Sequence, residues 1–254
     1  MSSSARLQLI ALEKTWPGGF HLGPLNLDFH GGETVGVLGK NGAGKSTLFE
    51  IISGNADKTA GQVLAAGKSV AMDQPEVKKN VGYMPQNLRL PRWVTPADIL
   101  HYAALLHQIP KPKDMVLRSA AWWDISEWID RPLAACSHGM QKRVALALAM
   151  LHNPPCVILD EPFETLDIVH VKALEAEIER RRSTGLLTIL STHMAPYAAR
   201  LCTSVLVLEN GKMTPLDNWK TSSTLERVEQ IESAFTRMTA ETMRTPLHDQ
   251  PRVN

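Results

Sequence analysis

No stretch of the 254 residues reaches the ~20 uncharged apolar residues that a helix needs to cross a bilayer, so a role at a membrane would need its span from another chain. An excess of either charge is also missing. The 27 Lys and Arg stand against 26 Asp and Glu, a formal net charge of +1, which gives no electrostatic pull toward nucleic acid or an anionic membrane surface. Cysteine is scarce: Cys136, Cys156 and Cys202 have spacings that fit neither a disulfide framework nor a metal knuckle, and they read as reduced thiols of a cytoplasmic protein. Residues 1–12 carry one Arg and neither a long apolar run nor a small-residue cleavage site, so no secretory signal is expected there. No internal repeat or low-complexity tract occurs either. What the chain does have is 44% hydrophobic residues, the ordinary content of a protein with a buried core, in a length that suits one large domain or two small ones.

Residues 6–13 alternate apolar and polar as a half-buried strand does, and Pro17, Gly18 and Gly19 mark a turn before a second strand at 25–29. The run 34–38 is apolar and ends at glycine, which suits a buried strand delivering the chain to a ligand at its carboxyl end, and 45–52 then reads as a helix. A short strand is expected at 81–85. From 96 to 108 the pattern turns helical, Pro110 and Pro112 break it, and helical character resumes at 123–128. This middle stretch shows no convincing strand and is assigned to a separate helical subdomain. An apolar helix follows Ser137 and runs to about residue 152, where Asn153, Pro154 and Pro155 end it. Strand, helix and strand then alternate at 156–159, 168–182 and 186–191, which implies right-handed crossovers and a parallel sheet covered by helices. A strand at 205–208 is followed by an Asn210-Gly211 hairpin turn. In the tail, Leu225, Val228, Ile231, Phe235 and Met238 would form one apolar helical face, packed on its own domain or on a partner, and the residues from Thr245 onward are expected to be disordered.

The chemistry concentrates at Gly39, Lys40, Asn41, Gly42, Ala43, Gly44, Lys45, Ser46 and Thr47, which fit the phosphate-loop pattern of a glycine, four residues, then Gly-Lys-Ser, placed between a strand and a helix. Glycines let consecutive backbone N–H groups curl inward around an anion, and the helix adds the positive end of its dipole. Lys45 can neutralise outer phosphates and the Ser46 hydroxyl can ligate magnesium. Asp160 ends an apolar strand, so its carboxylate emerges beside the phosphates as the second magnesium anchor. Glu161 follows as a general base for water, an effect typically worth about 100-fold to 10,000-fold in rate.

With these residues in place, the sequence resembles the ATPase subunits of ATP-binding-cassette (ABC) transporters over roughly residues 6–215. The resemblance places Trp16 where an aromatic residue stacks on adenine. It places Gln86, after Tyr83, Met84 and Pro85, where a glutamine senses magnesium and links the core to the helical subdomain. Ser137, His138, Gly139, Met140 and Gln141 fall where the signature segment belongs. Ser137, Gly139 and Gln141 conform, whereas His138 and Met140 stand where the family has glycine or another small residue; Ser137 also reads as a helix N-cap. Glu164, Thr165, Leu166 and Asp167 occupy the loop that connects the family's two ATP sites, and His193 matches the histidine that contacts the γ-phosphate.

The resemblance implies an α/β fold: a P-loop NTPase core with a parallel sheet flanked by helices, an antiparallel β subdomain and an inserted α-helical subdomain. It implies an ATP-binding domain over 1–220, with helices inserted at about 88–152, and a helical tail over 221–254. ATP and Mg2+ are the expected cofactors. The expected partners are a second ATPase subunit, as homodimer or heterodimer, and an integral-membrane transporter subunit on a separate chain, with no nucleic acid. The chain would lie in the cytoplasm on the inner face of the membrane. Leu88, Leu90, Trp93, Trp122, Trp123 and Trp128 are candidates for the groove that meets the membrane partner, or for core. The run from Leu90 to Gln108 looks like exporter-type subunits. Two further readings stay open: a soluble ABC ATPase acting as scaffold or mechanochemical factor, and a low-turnover regulatory ATP switch.

Overall fold

The computed structural model describes residues 5–70, 79–87 and 90–244. Leu88 and the residues from Thr245 onward therefore lie outside the described residues. An antiparallel sheet holds β1 (Arg6–Thr15), β2 (His21–His30), β4 (Ala60–Ala65) and β5 (Lys68–Ser69) in the order β2-β1-β4-β5. A six-stranded sheet runs β10-β9-β3-β8-β7-β6, from β3 (Thr34–Leu38), β6 (Val81–Met84), β7 (Cys156–Leu159), β8 (Leu187–Ser191), β9 (Ser204–Glu209) and β10 (Lys212–Pro215). Its pairings are parallel except at the β9–β10 hairpin. That hairpin turns at Asn210 and Gly211, both at positive φ, as a two-residue turn requires.

Every residue of β3, β7 and β8 is buried, which is why these strands read as largely apolar runs rather than alternations, interrupted only by the buried hydroxyls of Thr34, Thr188 and Ser191. Two cores lie on the two faces of the large sheet. Helix α1 (Lys45–Ile52) buries Leu48, Phe49, Ile51 and Ile52 against both sheets, between Leu7, Leu9 and Leu12 of the antiparallel one and Val35, Val37 and Ile158 of the parallel one. Successive strand residues point to opposite faces, so Val157 and Leu159 join the other core. There they meet α2 (Pro96–Leu106), α3 (Pro112–Trp122), α4 (His138–Met150), α5 (Ile168–Ser183), α6 (Ala195–Leu201) and α7 (Thr224–Arg244).

Several elements differ from the sequence expectation. Helix α3 begins at Pro112 itself, because proline at the first helical position sacrifices an N–H that has no intrahelical partner anyway. The expected helix at 123–128 is reduced to one 3-10 turn, Ser126–Trp128. Strands β4 and β5 and helix α6 were not expected. Trp123 is 2% exposed and belongs to the core, whereas Trp93 is 80% and Trp122 50% exposed. The tail helix turns Ile231, Ala234 and Met238 into its own chain against α6, with Val228 and Phe235 partly buried, but leaves Leu225 exposed.

Candidate active site

The loop from Gly39 to Gly44 leaves the carboxyl end of β3 and feeds α1. A Cβ at Gly39 would sit 2.6 Å from the Leu208 carbonyl oxygen, so no side chain fits there. Gly42 and Gly44 have φ of 81° and 99°, a left-handed backbone that favours glycine. No side chain caps α1 at Gly44, which leaves the N–H groups of its first turn for an anion from outside. Lys45 folds back over the loop, its Nζ donating to the carbonyl oxygens of Gly39 (2.6 Å) and Lys40 (3.1 Å). Burial lowers its pKa, and the charges of Glu161 and Asp160 oppose that shift.

Asp160, 1% exposed, directly follows β7 and is held from two sides. Its Oδ2 accepts from the Ser46 hydroxyl at 2.6 Å and its Oδ1 from the Ser191 hydroxyl at 2.5 Å. The Ser191 hydroxyl in turn accepts the Glu161 N–H at 2.9 Å. Glu161 occupies a left-handed conformation, φ 48°, an uncommon one for a side chain of this size. Its Oε2 accepts the His193 N–H at 3.3 Å and lies 3.1 Å from His193 Nδ1. Burial raises the Glu161 pKa above the ordinary carboxylate range; His193 opposes the rise and Glu164 adds to it. Glu164 reaches the same histidine, Oε1 to Nδ1 3.8 Å, while its Oε2 accepts from Gln86 Nε2 at 3.5 Å. Burial also raises the pKa of Tyr83 on the neighbouring strand, so it stays protonated.

Lys45, Ser46, Gln86, Asp160 and Glu161 border one cleft of about 710 Å3. Trp16 and Phe20, with ring centroids 5.3 Å apart, stand at one end, and Lys40, Asn41, Gly42, Gly44, Lys45, Ser46, Thr47, Gln86, Asp160 and Glu161 also line it. Aromatic rings followed by a lysine, an uncapped helix start and hydroxyls suit a flat base carrying a polyphosphate. The Ser46 hydroxyl and the Asp160 carboxylate, two hard oxygen donors 2.6 Å apart, fit a magnesium ion by donor chemistry. A larger hollow of about 990 Å3 beside α7 is lined by Glu209, Asp217, Glu226 and Glu229 with Arg237, a charge balance that repels phosphate.

Gly39 and Ala43 shape the loop without lining the cleft, and His193 meets it through Glu161. Ser137, Gly139 and Asp167 lie apart, around a separate cleft of about 380 Å3. Ser137 caps α4 by accepting the Met140 N–H at 3.2 Å, as its N-cap reading anticipated. Gln141 is turned to its own chain, donating to the carbonyl oxygens of Leu133 and Cys136, both at 3.1 Å. Sequence reasoning gave Ser191 no role, although a hydroxyl at the carboxyl end of a buried strand was a usable signal. It also passed over Phe20 and the contacts of Glu164, which only the fold creates.

The chain matches the family model described as ABC transporter over residues 22–164. An uncharacterized ABC transporter ATP-binding protein of Methanocaldococcus jannaschii is 33% identical over 75% of this chain and 69% of its own length. The cytochrome c biogenesis ATP-binding export protein CcmA of Pseudomonas fluorescens is 34% identical over 66% of this chain and 80% of its own. The chain spans only 7% of the mouse glucosylceramide transporter ABCA12, which it also matches. Among solved structures, an ATP-binding subunit of an ABC transporter superposes with a TM-score of 0.79 at 25% identity, covering 89% of this chain and 99% of that one.

Proposed function

The chain belongs to the ABC transporter family as an ATP-binding ATPase, and from that premise we propose that it works as one of two ATPase subunits driving a separate membrane-spanning partner, in the direction of export. One observation carries the reading: Lys45, Ser46, Asp160 and Glu161 converge on a single cleft, with His193 bonded to Glu161 behind it.

Trp16 stacks on the adenine, and the loop amides with Lys45 hold the phosphates. Ser46 and Asp160, with Gln86 beside them, would hold magnesium, which when bound neutralises phosphate charge. Glu161 takes the proton of the attacking water, and its raised pKa brings its basicity closer to neutral pH, where a general base works best. His193, bonded through both its ring and its N–H, fixes the direction of that carboxylate. The segment from Ser137 to Gln141 and the loop ending at Asp167 face the second subunit's nucleotide, so two chains enclose two ATP molecules.

No helix among the described residues is long and apolar enough to cross a membrane, in keeping with a partner that supplies the span. The relationship to an ATP-binding export protein supports the direction of transport. Steady-state phosphate release tests the reading. Glu161→Gln is expected to lower turnover about 100-fold or more while ATP binding persists. Turnover unchanged in that variant would remove Glu161 as the base.

A further inference from the structure

We propose that His170 is a positioning residue that fastens the Asp167 loop to the signature helix α4, so that the two segments facing the second subunit move as one body. The inference rests on the reading of those segments given above. His170 lies in the first turn of α5, where Asp167 is the N-cap: Asp167 Oδ1 accepts the N–H groups of Val169 and His170, each at 3.0 Å. The same oxygen lies 2.7 Å from His170 Nδ1, so the cap is closed by a ring as well as by backbone. The other ring nitrogen, Nε2, lies 2.8 Å from Nη1 of Arg143, on α4.

Chemistry fixes the proton. A guanidinium only donates, so Nε2 must accept from Arg143, and Nδ1 therefore carries the hydrogen given to Asp167. Asp124 uses the same Nη1, with its Oδ2 and backbone oxygen each 2.7 Å away, so the two hydrogens of Nη1 are shared among three acceptors; Asp124 Oδ2 also lies 3.4 Å from His170 Nε2. The linking pair is sheltered, with side-chain exposures of 11% for Arg143 and 12% for His170, against 64% for Asp167 and 72% for Asp124. Water therefore competes poorly for the central bond while the two carboxylates remain at the surface. A second contact joins the same segments independently. A Cβ on Gly139, at the start of α4, would lie 2.7 Å from the carbonyl oxygen of Thr165, so the helix start and the Asp167 loop already touch through backbone. Side-chain relay and backbone contact thus tie the loop to α4 at two separate points.

The test compares His170→Gln with His170→Leu in the full chain, measuring phosphate release and equilibrium ATP binding. The Gln amide oxygen reaches about as far from the backbone as Nε2 and can still accept from Arg143, whereas Leu fills similar space with no acceptor; in both, the backbone N–H groups of residues 169 and 170 still cap onto Asp167. We expect Leu to lower kcat about tenfold, the effect of losing a hydrogen bond to a charged group, with ATP affinity within about twofold of the parent. Gln is expected to keep at least about a third of the parent kcat. Leu at parental kcat, or Gln and Leu falling together, overturns the proposal. If thermal melting shows the Leu variant unfolded, His170→Ala takes its place: Ala at parental kcat, or Gln and Ala falling together, overturns the proposal in the same way. Failure of the underlying nucleotide-site reading would look different, because the parent chain itself would then fail to bind ATP.

Discussion

Asp160 accepts hydrogen bonds from the hydroxyls of Ser46 and Ser191, and the Ser191 hydroxyl also accepts the N–H of Glu161, so a single serine ties the two acidic residues of the cleft to strand β8. Replacing it with alanine strands a buried N–H and half of a buried carboxylate's bonding. Ser191→Ala is therefore expected to cost about 1–3 kcal/mol, read from the shift of the urea midpoint at constant m-value. Glu161 gives a prediction of opposite sign. Its folded-state pKa is raised by burial, so between the ordinary carboxylate range and the raised value the folded chain binds more protons than the unfolded one. Stability contributed by this group therefore falls as pH rises through that window, and the charged form is a net cost above it. Glu161→Gln should accordingly raise the melting temperature at pH 7–8. The gain should shrink to nothing at pH values below the ordinary glutamate pKa of about 4.3; a gain independent of pH would mean that burial of the charge is not its origin.

Helix α7 makes one further contrast measurable. Ile231 is fully buried against the core, while Leu225, earlier on the same helix, is 74% exposed. Ile231→Ala is expected to cost about 2–5 kcal/mol in urea unfolding and Leu225→Ala no more than about 0.5 kcal/mol; equal costs would contradict the packing of the helix on its own chain. The sequence face that placed these two residues together was drawn from periodicity, which finds a helix but not how far its partner surface extends. The same limit explains which other elements were legible. Strands β3, β7 and β8 are enclosed on both faces, so burial wrote itself into largely apolar runs. Strand β4, Ala60–Ala65, starts with Ala and Gly, and Gly61 is needed because a Cβ there would lie 2.1 Å from the Ala11 carbonyl oxygen. That requirement comes from the bulge in β1 opposite, and no local pattern announces it. Helix α3 was hidden by taking Pro112 as a breaker when it is an initiator. Within the site, the phosphate loop and the Asp160-Glu161 pair were legible because their spacing is local. The Glu164 contacts to Gln86 and His193, and the His170 link to Arg143, join residues 27 or more apart in the chain, or across a turn, and needed the fold.

Across the described residues, two cores lie on opposite faces of one sheet, and the carboxyl ends of β3, β7 and β8 bring the loop, the acidic pair and His193 to one edge. This is the edge at which ligands gather in open α/β sheets. The near-neutral charge means that attraction for a polyphosphate must come from this edge rather than from the surface as a whole. Titration calorimetry of the full chain with ATP and magnesium, beside the Lys45→Ala variant, tests that claim most directly. The parent is expected to show saturable binding of one ATP per chain, and the variant to lose it by at least about 100-fold in affinity. Saturable binding that survives unchanged in Lys45→Ala, or none in the parent, would contradict the account.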